Sequence, residues 1–173
     1  MYQNNAFIAL GSNIGNWKIN FNQAFIQLKK LGVINKYSSV YMTEPFGYSN
    51  QKNFYNMAIQ LKTNIRPINL LNEIKIIEKK LKKNKIFKNG PRLIDLDIIF
   101  YNNIILYKSY LQITHPRAHF RDFVLCPISE ISPNLRHPIY KKTVKELIKN
   151  LNKKFIIKKI MTMSHMKENL LIF

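Results

Sequence analysis

Two carboxylates, Asp95 and Asp97, interrupt an apolar segment that reads GPRLIDLDII over 90–99. Side chains on a strand alternate between its faces, so both carboxylates project from one side with their Cα atoms roughly 6.6 Å apart. Two acids held so close repel each other unless a cation lies between them. An oxygen-only pair suits Mg²⁺, which prefers one or two carboxylates and completes its shell with substrate phosphates. Two solvated acids on an exposed sheet face are the other interpretation.

The alternate positions of this segment predict the burial that would hold the two acids in place. Ile94, Leu96, Ile98 and Phe100 form one continuous apolar surface in the alternating pattern of a strand. Such a surface has to be covered by other elements of the fold. We therefore expect a strand with the core on one face and the acids on the other.

The arginines are informative because lysine is the default cation of this chain. Lysine and arginine together number 28, and three of the few arginines fall between 92 and 121, close to the acids. The guanidinium fork matches phosphate oxygens two at a time, whereas lysine is a point charge. This grouping favours phosphate recognition, although it could also arise by chance. The arginines of the chain are Arg66, Arg92, Arg117, Arg121 and Arg136.

Length and composition indicate a globular domain with a substantial core. The chain has 173 residues, of which 46% are hydrophobic, and a formal net charge of +19. A basic balance of this size is found in proteins that bind nucleic acids or anionic substrates. The scattered lysines are equally typical of compositional bias and a solvated surface. The single cysteine, Cys126, excludes a disulfide framework. With no apolar run of membrane-spanning length and no signal peptide, we expect a cytoplasmic location.

Periodicity predicts an ordered series of strands and helices before the acidic pair. Apolar spacing predicts a helix from Trp17, with Asn16 as its N-cap and Gly32 after its end, and a second helix beginning at Pro67. Glu78 falls inside the apolar arc of that second helix, either at the rim of the core or turned toward a site. The predicted strands are 7–10, 33–41, 56–61 and the segment that carries the acids.

This order, β-α-β-β-α-β, is that of a ferredoxin-like α+β domain. In such a fold two helices pack on one face of an antiparallel sheet and leave the other face open, where both aspartates would lie. A hairpin over 104–113, a loop or short helix over 114–121 and a weak helix over 144–151 are C-terminal additions. We expect one domain over 1–151 and a tail over 152–173 whose role the sequence does not indicate.

Five segments, taken together, resemble the 6-hydroxymethyl-7,8-dihydropterin pyrophosphokinase family of folate biosynthesis. They occur in the family's order and spacing over roughly residues 6 to 150. The segments are ALGSNIGN at 9–16, YMTEPFG at 41–47, NFYN at 53–56, GPRLIDLDI at 90–98 and HPRAHFRDFVLCP at 115–127.

The resemblance implies transfer of the pyrophosphoryl group of ATP to the hydroxymethyl oxygen of the reduced pterin, with release of AMP. It implies two Mg²⁺ ions held by Asp95 and Asp97, and a catalytic set of Arg92, Asp97 and Lys85. ATP and the pterin are the implied partners, with no nucleic acid, no membrane and a monomeric enzyme. The positions that match the family's contacts with ATP are Lys75, Glu78, Lys85, Arg92, Ile98, Tyr110, Gln112, His115 and Arg121.

The resemblance also implies a flat slot for the pterin. Phe54 and Phe123 match the two aromatic walls that stack on the ring, and the amide of Asn56 offers a donor and an acceptor to its edge. The positions that match the family's pterin contacts are Thr43, Glu44, Phe46, Phe54, Asn56, Asp95 and Phe123.

Three departures and two alternatives accompany this assignment. Tyr110 and Gln112 stand where other members carry different nucleotide-contacting residues. Asn89 stands where the family usually has tryptophan, and the lysine-rich loop over 79–89 is one residue shorter than in other members. One alternative is a basic ferredoxin-like nucleic-acid-binding module, which would need exposed aromatic residues where this strand has carboxylates. The other is a metal-dependent nuclease, which explains the acids but not the aromatic and amide slot.

Overall fold

The computed structural model describes residues 3–81 and 90–161. No helix in these two ranges is long and apolar enough to cross a membrane. In chain order the elements are β1 (Asn4–Ser12), α1 (Trp17–Leu28), β2 (Val33–Tyr37), β3 (Val40–Thr43), β4 (Phe54–Thr63), α2 (Pro67–Leu81), β5 (Asp95–Tyr101), β6 (Leu106–Tyr107), β7 (Gln112–Ile113), a 3₁₀ turn (Ala118–Phe120), α3 (Asp122–Ile131), α4 (Val144–Lys149) and β8 (Ile156–Met161).

The main sheet has the strand order β5-β1-β4-β3-β8, and β2 also pairs with β4. All of these neighbours are antiparallel. β2 and β3 together occupy the place of one predicted strand, which Ser38 and Ser39 interrupt. The Ser38 hydroxyl accepts a hydrogen bond from the backbone N–H of Ala58 at this break (2.9 Å). The ferredoxin-like βαββαβ order predicted from the sequence is therefore confirmed.

Helices α1 and α2 pack on one face of this sheet, as the apolar spacing predicts. Asn16 is the N-cap of α1, and its side chain accepts a hydrogen bond from the N–H of Lys18 (3.0 Å). α2 begins at Pro67, whose fixed φ suits the first turn of a helix. The 3.6-residue repeat of the helices meets the two-residue repeat of the strands in a single core. Its buried members include Ile8, Leu10, Phe21, Leu28, Met57, Ile59, Leu61, Leu70, Ile74, Leu96 and Ile98.

The C-terminal additions cover part of the opposite face. α3 and α4 enclose a second cluster there, in which Val124, Leu125 and Ile128 pack with Phe7 and Ala58. This face, which was expected from the sequence to be open, is therefore partly covered. The cover ends before the point where β1 finishes and β5 begins. What remains open is a cleft at that end of the sheet.

Phe100 belongs to this second cluster, so its predicted place beside Ile98 is wrong. The pairing of β1 with β5 shifts register between Phe7 and Ile8, and Ile99 is the extra residue. A bulge of this kind reverses which face the following side chains occupy. Phe100 therefore turns to the face that carries the acids, and Tyr101 turns to the helix-covered core.

Two elements are absent from the sequence-based expectation. α3 contains Pro127, a residue that normally interrupts a helix, yet Val124, Leu125 and Ile128 are buried by it. β8 extends the main sheet beside β3, so residues of the expected tail contribute a strand to the domain. The predicted hairpin over 104–113 is confirmed by the pairing of β6 with β7.

His137, in the turn between α3 and α4, is only 1% exposed. Its Nδ1 accepts hydrogen bonds from the backbone N–H groups of Ile139 (3.2 Å) and Tyr140 (3.4 Å). Its Nε2 is buried with no hydrogen-bond partner among the described residues. Burial, helped by the nearby His119, lowers the pKa of His137 to about 4.

We predict that His137 makes the domain less stable as the pH falls from about 6.5 to about 4, the span between its ordinary pKa and its pKa in the fold. The unfolded chain binds the proton first, so stability is complete above this range and is lost below it. Asn can accept the same backbone hydrogen bonds through Oδ1 but does not titrate. Urea unfolding at several pH values in this range gives the free energy of unfolding as a function of pH. For His137→Asn this free energy should change with pH less steeply than for the parent chain, by up to about 1.4 kcal/mol per pH unit.

The same exchange at His119, a partly exposed residue, should alter the slope less. Identical slopes for the parent chain and His137→Asn would contradict the prediction.

Candidate active site

A cleft opens where α3 leaves the sheet uncovered, with about 600 Å³ of empty space that is partly open to solvent. β1, β4 and β5 form its floor, and the loop after β3 and the start of α3 form its sides. The residues that line it are Ala9, Leu10, Gly11, Thr43, Glu44, Phe46, Phe54, Asn56, Arg92, Asp95, Asp97, Arg121, Phe123 and Val124. All seven positions matched to pterin contacts are in this set.

Asp95 and Asp97 lie on the same side of β5, as the alternation predicts, and both line the cleft. They stand opposite Gly11 and Ala9 of β1 in the strand register. The Nη1 of Arg92 donates to Asp95 Oδ2 at 2.8 Å. Burial and the charge of Asp95 raise the pKa of Asp97 to about 6. Two carboxylates and the guanidinium of Arg92 therefore meet on one side of the strand.

Arg92 is held in place by the loop that follows β1. The backbone N–H groups of Asn13 and Ile14 donate to the Arg92 carbonyl (3.1 and 3.3 Å), and the Arg92 N–H donates to Asn13 Oδ1 (2.8 Å). The Asn13 Nδ2 donates to Gln51 Oε1 and to the carbonyl of Lys52. Sequence reasoning assigns Asn13 no role, although it lies inside the first of the five matching segments.

Arg121 lies at the N-terminus of α3, and its guanidinium stacks on Phe46, 4.5 Å from the ring centroid. Burial and the neighbouring Arg117 lower the pKa of Arg121 to about 10, so it stays charged at neutral pH. Within the described part of the chain, the buried Nε atoms of Arg92 and Arg121 have no hydrogen-bond partner. Buried donors of this kind call for an acceptor. An anion in the cleft would supply it.

Glu78 has a structural place that explains a carboxylate within the apolar arc of α2. It is 5% exposed, and its Oε1 accepts the backbone N–H of Leu96 at 2.9 Å. Leu96 lies between the two aspartates on β5, which is an edge strand of the sheet. Glu78 Oε2 accepts from Lys75 Nζ at 2.7 Å. The carboxylate thus fixes the edge strand at the point where it carries the acids.

Lys75 lies within electrostatic reach of both aspartates. Burial alone would lower the pKa of Lys75, but the hydrogen bond to Glu78 and the charges of Asp97 and Asp95 leave it raised. Lys75 and Glu78 therefore lie close to the aspartates on the side of α2. Neither of them is a lining residue.

The end of the cleft away from Asp97 is lined by aromatic rings and one amide side chain. Asn56 Nδ2 donates to Thr43 Oγ1 at 2.8 Å, which fixes the plane of the amide. A Cβ at Gly11 would lie 3.1 Å from Asn56 Oδ1. This close approach explains the glycine, whose role sequence reasoning does not identify. The guanidinium of Arg92 lies over the ring of Phe54, with its Cζ 5.3 Å from the ring centroid.

Several positions matched to ATP contacts do not reach the cleft lining. The side chain of Ile98 is buried in the helix-covered core, on the face opposite the acids. Tyr110 is exposed between the strands of the small hairpin, and Gln112 is exposed on β7. Lys85, and also Asn89 of the lysine-rich loop, lie outside the described residues. Their predicted roles remain predictions.

His115 lies beside the cleft, where its backbone N–H donates to the carbonyl of Ile99 (3.1 Å). Burial and the charges of Arg121 and Arg117 lower the pKa of His115 to about 4. The imidazole is therefore neutral near pH 7. A neutral ring next to two guanidinium groups can donate to or accept from a bound group without adding charge.

The available metal ligands fit Mg²⁺ better than a metal whose ligands all come from the protein. No group of three or more His, Cys, Asp or Glu side chains comes together within 3–81 and 90–161. Two carboxylates and a run of nearby cations leave the remaining ligands to phosphate oxygens and water, as Mg²⁺ prefers. Asp95 and Asp97 would hold the ion.

Comparison with known proteins gives this site a context. The sequence profile of the 7,8-dihydro-6-hydroxymethylpterin-pyrophosphokinase family matches residues 7–133. A protein of Aquifex aeolicus named 2-amino-4-hydroxy-6-hydroxymethyldihydropteridine pyrophosphokinase is 39% identical over 140 residues, which are 81% of this chain and 88% of that protein. The Bacillus subtilis protein of the same name is 41% identical over 130 residues, 74% of this chain and 78% of that protein.

Longer proteins also match. Folic acid synthesis protein FOL1 of Dictyostelium discoideum is 40% identical over 86% of this chain, which spans only 22% of that protein. The crystal structure of Plasmodium falciparum HPPK-DHPS shares the fold with a TM-score of 0.69 at 19% identity, over 96% of this chain and 47% of that one. The profile match and the coverage of the two bacterial proteins establish that this chain belongs to the 7,8-dihydro-6-hydroxymethylpterin-pyrophosphokinase family.

Proposed function

We propose that this cleft is where the chain transfers the pyrophosphoryl group of ATP to 6-hydroxymethyl-7,8-dihydropterin. Family membership makes the chain an ATP-dependent diphosphokinase of folate biosynthesis. The observation that carries the proposed site is the meeting of two chemistries in one cleft. The acid pair and two guanidinium groups lie beside a slot of aromatic rings and one fixed amide.

The acidic end of the cleft suits the triphosphate of ATP with Mg²⁺. Asp95 and Asp97 would hold the metal, and we propose two ions because two carboxylates and a triphosphate offer enough oxygen ligands for both. The buried Nε atoms of Arg92 and Arg121, which lack partners among the described residues, would donate to phosphate oxygens. Bound there, Mg²⁺ supplies positive charge that neutralises the phosphate oxygens.

The remaining positions matched to ATP contacts extend this end of the cleft. Lys75 adds positive charge near the aspartates, and His115 offers a neutral ring. Glu78 would act through its hydrogen bond to the strand as well as on the nucleotide. Ile98, whose side chain is buried, can contribute only backbone groups. Tyr110, Gln112 and Lys85 complete the proposed ATP set from the hairpin and the lysine-rich loop.

The other end suits a flat bicyclic ring with polar groups along one edge. Phe54 and Phe123 would stack on the two faces of the pterin. Asn56, fixed by Thr43, would present a donor and an acceptor to the amide-like edge. The backbone of Glu44 and the ring of Phe46 would close the slot. Asp95, at the boundary between the two ends, lies near both proposed substrates.

Positioning accounts for most of the chemistry that the chain has to perform. The hydroxymethyl oxygen attacks the β-phosphorus of ATP and forms a bond to it. The bond between the β-phosphorus and the oxygen that bridges it to the α-phosphorus breaks. AMP leaves with that oxygen, and the hydroxyl proton is released. The protein contributes in-line placement and charge neutralisation. Arg92, which the loop after β1 holds in position, would stabilise the charge on the phosphates, and Lys85 would add to this.

The alternative of a nucleic-acid-binding module finds no support. The sheet face that would have to stack bases carries two carboxylates, which repel phosphates unless a metal is present. The relatives are named as pyrophosphokinases. A nuclease would use the acids but has no need of the pterin slot. The monomeric state and the cytoplasmic location stay predictions.

We predict that the chain, given ATP, Mg²⁺ and the reduced hydroxymethylpterin, forms AMP and the pterin diphosphate in equal amounts. The acceptor oxygen attacks the β-phosphorus, so ADP is not an intermediate. Separation of the nucleotides by ion-exchange chromatography gives the measurement, and omission of the pterin or addition of EDTA gives the controls. Formation of ADP, or no reaction by protein shown to be folded, would contradict the assignment.

We predict that Asp97→Asn lowers kcat by about 100-fold or more while the fold is kept, because the amide has the same shape but no negative charge for the metal. Steady-state kinetics and the circular dichroism melting midpoint provide the readouts. Glu73→Gln, on α2 outside the cleft lining, is the matched control and should keep parental kcat. Activity within a few fold of the parent in Asp97→Asn would remove this carboxylate from the mechanism.

A further inference from the structure

Three phenylalanine rings meet at the side wall of the pterin end of the cleft, and only two of them line it. Phe46 comes from the loop after β3, and Phe123 comes from the first turn of α3. Their ring centroids are 6.3 Å apart. Phe155, from the segment before β8, lies behind both, 5.4 Å from Phe46 and 5.7 Å from Phe123. We name these three residues the aromatic triangle.

Phe155 is 7% exposed. Its backbone forms hydrogen bonds to the start of α3 and to the loop after β3, which are the two sides of the slot. Its N–H donates to Asp122 Oδ2 at 2.7 Å, and the N–H of Ile156 donates to the same oxygen at 2.9 Å. Its carbonyl accepts the N–H of Glu44 at 2.9 Å. One residue of the C-terminal segment thus connects the loop of Glu44 with the helix start that carries Phe123.

β8, which begins at the residue after Phe155, fixes the position of Phe155 relative to the sheet. β8 pairs with β3 in antiparallel register, with Ile156 opposite Thr43. The Nζ of Lys159 forms an ion pair with Glu130 of α3, and the other oxygen of Glu130 accepts the N–H of Ser39 at 2.7 Å. The position of the Phe155 ring is therefore set by the main sheet, while the two rings in front of it stand on a loop and at a helix terminus.

We propose that Phe155 is a positioning residue for the pterin slot. Its ring supports Phe46 and Phe123 from behind and keeps them at the separation and tilt that accept a flat ligand. Neither the family profile, which ends at residue 133, nor any matched position assigns it a role. The inference rests on the proposed function, since Phe46 and Phe123 are taken as pterin contacts.

The physical basis is the loss of two ring contacts when Phe155 is shortened. A void behind Phe46 and Phe123 lets both rings turn into the space, and the slot then has to be rebuilt when the pterin binds. Each aromatic pair contributes enough for a change of several fold in binding. The acid pair and Arg92 are held by β5 and by the loop after β1, so this part of the triphosphate end keeps its geometry. Arg121 stacks on Phe46, so its contact with the phosphates changes with that ring and accounts for a small loss of analogue binding.

The test compares Phe155→Ala, Phe155→Leu and the control Ile157→Ala. Ile157 lies on β8 only two residues away, but its side chain is 47% exposed. Titration of intrinsic fluorescence gives Kd for the pterin in the presence of Mg²⁺ and a non-hydrolysable ATP analogue, and Kd for the analogue alone. Melting midpoints are measured first, and all titrations are made well below the lowest of them.

For Phe155→Ala we expect pterin Kd to rise about tenfold or more, with the Kd of the analogue changed by less than about threefold. Phe155→Leu, which fills most of the volume, should give an intermediate rise, and it remains available if the alanine variant does not fold. Ile157→Ala should bind as the parent does. In the same way, KM for the pterin should rise while KM for ATP changes little.

Pterin binding unchanged in folded Phe155→Ala or Phe155→Leu would overturn the inference, and so would an equal loss in Ile157→Ala. An equal weakening of both ligands would also overturn it, because that pattern indicates general loosening of the fold. If the parent chain binds no pterin and forms no AMP, the proposed function itself fails, and the two failures are thus distinguishable.

Discussion

The cleft depends on the repulsion between two carboxylates that an edge strand holds on the same side. A strand cannot turn one of them away without disturbing the buried residue between them, because Leu96 is part of the helix-covered core. Glu78 adds to the constraint by accepting the backbone N–H of Leu96. The burial that raises the pKa of Asp97 comes from this rigid placement. A divalent cation bound between the two carboxylates, as proposed above, would relieve the repulsion.

Positive side chains lie around the acids, and within the described residues not all of their donors are used. Arg92 bonds Asp95 through one terminal nitrogen, and within the described residues its Nε is left without an acceptor. Arg121 stacks on an aromatic ring instead of pairing with a carboxylate in the cleft. Full internal pairing would leave no donors for a ligand. The observed arrangement keeps charges of both signs available, which matches a ligand that is itself a metal–phosphate complex.

The end of the cleft proposed for the pterin is built on a different principle, namely shape held by contacts between distant parts of the chain. Gly11 lets Asn56 lie against β1, Thr43 fixes its amide, and Asp122 ties the start of α3 to the C-terminal segment. Each of these contacts joins parts of the chain that are far apart in sequence. A slot made from loop and helix-terminus residues needs such ties, because neither element is rigid alone.

The features that depend on local repeats could be predicted from the sequence. The two-residue period of a strand placed Asp95 and Asp97 together, the 3.6-residue period gave α1 and α2, and their order gave the ferredoxin-like sheet. The matched segments indicated seven positions for the proposed pterin slot, and all seven line the cleft. The remaining features required the folded chain. The bulge at Ile99 moved Phe100 to the other face, since a register shift leaves no mark in the pattern. The helix through Pro127, the strand formed by the expected tail and the place of Phe155 behind the slot all follow from contacts between distant segments. No local period encodes such contacts, because their energy comes from surfaces that meet only after the chain has folded.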